Sequence, residues 1–336
     1  MNGRIEVENK IELRIRNNLV GCPDYFYDWY MNLKANNNTP ATCYDYINKV
    51  KQMLMSYGKY PTVKELSQRH TIEYFDSIQR IKDRKGNIKY SSSAYQQSVW
   101  CALSNFFDYM YKVKQIPNNY METIKRPKNK DEERVKQERV LLTKKDFNNI
   151  LKAVDRGVGN IIAKKLQKRT KSRDKLIVSL FMVTGMRKTA LTEINIEDIN
   201  IKERVLQVID KGNKYHAYYL SDDIIELIDE WLEDREVMLN GRESAALFIS
   251  DNGNRLTGNA VTKIVQKFAE GGIGYQISPH KFRAGFCSIL YNEKHDIEFV
   301  RRSVGHSQTR TTQRYIVTDN KERKEASEII GNLLKF

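Results

Sequence analysis

What this 336-residue sequence has little of narrows its class before anything else does. It holds four cysteines, Cys22, Cys43, Cys101 and Cys287, with no C-x-x-C pair among them. Such scattering suggests neither a zinc site nor a disulfide framework, so no metal is expected, and a reducing compartment, the cytoplasm, fits it best. Long apolar runs are missing as well. The longest, Leu176 to Val183, is broken by Ser179 and falls far short of the ~20 residues a bilayer-spanning helix needs, so no membrane partner is expected. The opening MNGRIEVENK puts charge where a signal peptide keeps its apolar core. There is no internal repeat, no low-complexity tract and no Gly-rich phosphate loop. Acidic residues are in deficit: 42 Asp and Glu face 57 Lys and Arg, giving a formal charge of +15. A surplus of that size suits a large polyanion, and nucleic acid is the leading candidate.

The length allows roughly two domains. In the first half, Ile47, Val50 and Leu54 keep helical spacing after Pro40, and Gly58 with Pro61 stops the run. A second helix is expected from about Thr71 to Ile81. A third carries Val99, Leu103, Phe106 and Met110 on one face, after the cap candidates Ser91, Ser92 and Ser93. Residues 126–140, RPKNKDEERVKQERV, are charged throughout and lack an apolar stripe, as an exposed linker does, and the domain boundary belongs there. Thr143 then offers an N-cap. Val205 to Ile209 and Tyr215 to Leu220 flank Lys211-Gly212-Asn213-Lys214, which predicts two short strands and a turn. Ser221 precedes an acidic amphipathic helix with Ile225, Ile228 and Leu232 on its apolar side. A short strand, ALFIS, a turn, DNGN, and a helix from about Asn259 to Ala269 follow. The expected fold is mainly α with a small β-sheet, an α+β chain of two domains.

The segment from Ile161 to Lys175 holds seven basic residues and one acidic. Lys164, Lys165, Lys168, Arg169, Lys171 and Arg173 are the candidate DNA contacts, although a solvated face would have the same composition. Elsewhere the chain carries a set suited to gripping a phosphate and attacking it. Arg187 and Arg283 offer planar donor forks for non-bridging oxygens, His280 and His306 can move or share protons, and Tyr315 offers a phenol as nucleophile. Each also has an ordinary reading: a phosphate anchor, a structural histidine, a packing tyrosine.

In order, Arg187 stands in TGMRKTALTEINIEDI, Lys211 in VIDKGNKYHAYYL, His280 and Arg283 in SPHKFRAGFCSIL, His306 in VGHS and Tyr315 in TTQRYI. This wording, with its intervals from Arg283 to His306 and on to Tyr315, resembles the tyrosine recombinases, the family of phage and transposon integrases and Xer-type resolvases. The resemblance covers roughly residues 24–336, closely in the second half and by pattern in the first. It implies a C-shaped clamp on double-stranded DNA. After an N-terminal segment of residues 1–23, residues 24–125 would be a helical, SAM-like core-binding domain, residues 126–140 a charged linker, and residues 141–336 the catalytic domain. The residues ahead of Tyr25 would leave no room for a further arm-binding domain.

The resemblance also implies roles. Arg187, Arg283 and His306 would hold the phosphate, His280 would take the phenol proton, Lys211 would protonate the leaving oxygen, and Tyr315 would form a 3′-phosphotyrosyl link. Lys214, on the same turn, is the alternative to Lys211. No cofactor is expected. Ala326, Ile329, Ile330, Leu333 and Leu334 form one side of a C-terminal helix that would dock on a neighbouring protomer, in a homotetramer on two DNA sites with a monomer or dimer on one site. Accessory proteins are allowed for. Two departures stand out: Ala190 where the family often has an acidic residue, and Val304 where leucine is usual. Integration or excision of a mobile element is the expected role. A nicking-and-resealing topoisomerase and a non-catalytic DNA-binding protein on the same scaffold are the alternatives.

Overall fold

The computed structural model describes residues 2–82, 86, 88–128, 141–210, 214–305 and 312, and its contacts divide the chain into two units. One comprises residues 5–139. The other comprises residues 140–336 together with residues 1–4.

The first unit is helical: α1 (Gly3–Leu19), which begins in the other unit, α2 (Asp24–Ala35), α3 (Pro40–Met55), α4 (Gln68–Ser77) and α5 (Ser93–Lys112). Ile47, Val50 and Leu54 of α3 are buried, as are Val99, Leu103, Phe106 and Met110 of α5. Ser92, one of the expected cap residues, accepts from the N–H of Tyr95, and Thr39 caps α3 by accepting from that of Thr42. Phe106 packs edge-on against Trp29 and Phe107, with ring centroids 5.2 and 5.1 Å away, and the Trp29 indole donates to Asn105 Oδ1 at 2.9 Å. Within the N-terminal segment of residues 1–23, α1 puts Ile15 and Leu19 into this core. One feature differs from the sequence reading. The helix expected to reach Ile81 stops at Ser77, and an antiparallel hairpin follows, β1 (Arg80–Lys82) with β2 (Ile88–Tyr90).

The second unit begins with α6 (Lys144–Arg156), capped reciprocally by Thr143 and Asp146. Then come α7 (Ile161–Gln167), α8 (Lys171–Thr184), α9 (Lys188–Glu193), β3 (Ile199–Asn200), β4 (Val205–Asp210), β5 (Lys214–Tyr219), α10 (Asp222–Leu239), α11 (Gly258–Ile273), α12 (Pro279–Lys294) and α13 (Ile297–Ser303). Helix α8 is the axis of the core. Leu176, Ile177, Val178, Leu180, Phe181 and Met182 are all buried, so it is apolar nearly all round and has α6, α10 and α12 packed about it. The sheet runs β3-β4-β5, antiparallel, with Val205 opposite Tyr219 and Asp210 opposite Lys214.

The acidic helix exists, but its inward face is rotated from the expected one. Ile224, Ile228, Trp231 and Arg235 are buried, while Ile225 and Leu232 sit at the rim. The large indole decides this by donating to Leu247 O at 2.9 Å. For the same reason ALFIS is not a strand. Its backbone is satisfied piecemeal, Ala246 O by the Arg235 guanidinium and Leu247 N by Ile194 O, leaving only isolated bridges. Residues 129–140 of the expected linker, and the expected C-terminal helix, lie outside the described residues.

Candidate active site

The site is built on three chain reversals. The first follows α8, where Gly185 closes the helix in the left-handed region at φ +59° and donates to Phe181 O at 3.1 Å. A Cβ there would come within 2.7 Å of the Phe286 ring, so glycine alone fits the turn. Two residues later Arg187 stands, half-buried, as the N-cap residue of α9.

The second reversal opens α12, with Pro279 in its first turn, where the missing N–H costs nothing. His280 is exposed there. Arg283, one turn along the same face, is buried with 1% of its surface accessible. Its Nη1 donates to Gly185 O and its Nη2 to Val304 O, each at 2.7 Å. One guanidinium therefore ties the turn that carries Arg187 to the end of α13. A guanidinium has five N–H donors in a fixed fork, and the two carbonyls set its plane.

The third reversal follows α13, where Gly305 adopts φ +67°. His216 of β5, which the sequence reading did not single out, lies against it. Its Nε2 is 3.3 Å from Ser303 O, and a Cβ on Gly305 would lie 3.1 Å from Nδ1. The available signal was position: His216 is two residues beyond Lys214 on the strand that leaves the turn. Below the site, Cys287 is fully buried one turn after Arg283. Burial raises its thiol to about 11, against a smaller downward pull from the Arg283 charge.

Arg187, His280 and Arg283 are thus placed among the described residues. Lys211, His306 and Tyr315 lie outside them, as does the side chain of Lys214. Ala190, the departure noted above, is buried and lines a small pocket with Glu193, Asp198, Asn2 and Arg4. Two carboxylates therefore border the position where an acidic residue was missed. Burial raises Asp198 above the usual aspartate range, opposed by the hydrogen bond from Asn195 N.

The basic segment divides. Lys164, Lys165, Lys168 and Arg169 are exposed on and just after α7, beside exposed Ile161, Ile162 and Leu166. Lys171 is half-buried and pairs with Asp155 at 3.5 Å. Arg173 is not a surface contact. It is 7% accessible, its Nε and Nη2 donate to Asp174 at 3.0 and 2.8 Å, and its Nη1 donates to Ile249 O at 2.9 Å. It points inward because α8 is buried on nearly every side.

Comparison with known proteins agrees with this architecture. Residues 141–322 match the phage integrase family. The tyrosine recombinase XerC of Alcanivorax borkumensis is 32% identical over 148 residues, covering 44% of this chain and 48% of that protein. XerD of Staphylococcus haemolyticus is 32% identical over 152 residues, covering 45% and 52%. The chain spans about half the length of the curated relatives it matches. Among solved structures, the XerH site-specific recombinase bound to a palindromic difH substrate superposes with a TM-score of 0.62 at 21% identity, over 88% of this chain and 82% of that one. The lambda integrase dimer bound to a COC′ core site gives 0.59 at 16% identity, over 90% and 80%. These two share the fold. With more than half of its length matched to the family, the chain belongs to the phage integrase family of tyrosine recombinases.

Proposed function

We propose that the protein is a site-specific DNA recombinase that cuts and rejoins strands through a 3′-phosphotyrosyl link at Tyr315 and a Holliday junction, in the integration or excision of a mobile element. The observation that carries this reading is the Arg283 guanidinium, buried yet hydrogen-bonded to the carbonyls of Gly185 and Val304. That bridge joins the turn before Arg187 to the end of α13.

A phosphodiester repels an anionic nucleophile, so its charge must be offset first. Arg187 and Arg283, with His306, would hold the non-bridging oxygens and bind them more tightly as equatorial charge grows. The Tyr315 phenol, with an ordinary pKa of about 10, gives its proton to His280 as its oxygen bonds to phosphorus. The bond to the 5′-oxygen breaks, and Lys211, or Lys214 in its place, supplies the proton with which that oxygen leaves as a hydroxyl. The tyrosyl ester keeps the bond energy, so a 5′-hydroxyl of a second strand reverses the step without a nucleotide or a metal.

Residues 24–125 and residues 141–336 would each contact the duplex, joined by the charged linker of residues 126–140. Four copies would hold two sites, joined by the C-terminal helix, in the cytoplasm. Lys164, Lys165, Lys168 and Arg169, all exposed, would meet phosphates.

The test is a duplex nicked beside the scissile phosphate, so that the cleaved end diffuses away. A covalent protein–DNA band from the wild type and none from Tyr315→Phe, in the absence of metal, is the expected result. Specific binding with no covalent band from either protein would overturn the reading.

A further inference from the structure

We infer that the hairpin β1–β2 of the first unit is a second DNA-contacting element, a two-stranded ribbon that enters a groove of the duplex outside the cleavage site. The inference rests on the recombinase reading for the identity of the nucleic acid, and on the hairpin itself for the contact.

The ribbon is held at its base. Ser91 N donates to Gln79 O at 2.9 Å, Gln96 Nε2 donates to Ser91 O at 3.1 Å, and Ile78 and Ser91 are buried on either side. Beyond that anchor Arg80, Ile88, Lys89 and Tyr90 are exposed, with Ile88 at 67% and Tyr90 at 73% accessible. A lone two-stranded hairpin is marginal in water, and large apolar side chains set out on one call for a partner.

Charge says which partner. Residues 80–90 read RIKDRKGNIKY, five basic residues to one acidic. The register pairs Arg80 with Tyr90, so these two share one face of the ribbon, and Lys89, the next residue along its strand, lies on the other. Because side chains alternate along a strand, each face carries a cation. A surface meant to lie flat on a polyanion would keep its cations on one side. A ribbon inserted into a groove has phosphates along both walls, and the major groove of B-DNA admits a two-stranded ribbon. Tyr90, beside Arg80, supplies a flat ring for the sugar edge or a thymine methyl.

The experiment compares the full-length protein with Arg80→Ala/Lys89→Ala/Tyr90→Ala and with the charge swap Lys89→Glu, an exposed position where folding is insulated. Affinity for the nicked duplex is measured against salt, the footprint is mapped, and covalent capture is followed at saturating protein. The variants are expected to bind on the order of tenfold or more weakly, with the triple change lowering the salt slope by about 2 and shortening the footprint at one end. Covalent capture at saturation persists, since Tyr315 is untouched. Wild-type affinity, slope and footprint in both variants would overturn the inference while leaving the recombinase reading intact. So would a variant altered only in oligomeric mass, which would assign the ribbon to protein contacts. Absence of a covalent band from the wild type would instead overturn the reading beneath it.

Discussion

Arg283 ties two backbone turns together and, in the proposed reading, also holds the phosphate, and substitution separates the two. A lysine there has one ammonium where two carbonyls wait, so Gly185 O or Val304 O is left buried and unpaired, at a cost of about 1–3 kcal/mol. Arg283→Lys is therefore expected to lose both urea stability and covalent capture. Arg187→Lys, half-buried, is expected to keep stability within about 1 kcal/mol and lose capture on the order of 100-fold. Equal stability losses in the two would contradict this division. A second residue, Cys287, predicts a pH dependence. Its folded thiol ionises near 11 while the unfolded one ionises near 9.0, so the folded state holds the extra proton between those values. Stability from this group is complete below pH 9 and falls by about 1.4 kcal/mol per pH unit as pH rises toward 11. Urea midpoints of wild type and Cys287→Ala at pH 8 and pH 10.5 check it: the wild type should lose more. Arg187 and Arg283 stood out in the sequence as candidate phosphate ligands by charge and by the motifs that carry them, and the structure links the turn before the first to the guanidinium of the second. His216 did not, since a histidine acting on a backbone carbonyl 87 residues away leaves no local trace.

Elements were legible where periodicity and caps agree, as in α3, α5 and the β4–β5 hairpin. They were misread where side chains replace a ladder. ALFIS has strand composition, but the carbonyls of Ala246 and Leu247 are taken by Arg235 and Trp231, partners no local window contains. The β1–β2 hairpin went unread although Gly86-Asn87 repeats the Gly-Asn pair of residues 212–213, because a helical pattern runs into it. One helix crossing is marked by glycine alone. A Cβ on Gly272 of α11 would lie 2.7 Å from Asn149 O and 2.8 Å from Ile150 Cα, both backbone of α6. Gly272→Ala must separate the two helices, so in spite of better helix propensity it is expected to destabilise by about 1–3 kcal/mol. A thermal melt at or above that of wild type would show that the crossing yields freely.

At the scale of the whole chain, the two large cores among the described residues and one shared charge set the behaviour. The helices around Phe106 and those around α8 form distinct clusters, so each unit has the means to fold by itself. The positive charge is not confined to the catalytic half. Residues 5–139 carry 23 Lys and Arg against 16 Asp and Glu, and the rest of the chain carries 34 against 26. Composition made this visible, whereas the boundary was harder to read at its start. Residues 2–4 belong with the second unit: a Cβ on Gly3 would lie 1.9 Å from Glu193 O, a contact nearly two hundred residues distant in sequence. If both units meet DNA, the affinity of a catalytic fragment of residues 141–336 should depend less steeply on salt than that of the full chain, because fewer counterions leave the duplex when one unit binds. The fragment should still melt cooperatively, since the α8 core lies wholly within it. Binding isotherms from about 50 to 300 mM salt decide the matter. A fragment slope equal to that of the full chain would mean that the first unit, despite its charge, contributes no phosphate contacts.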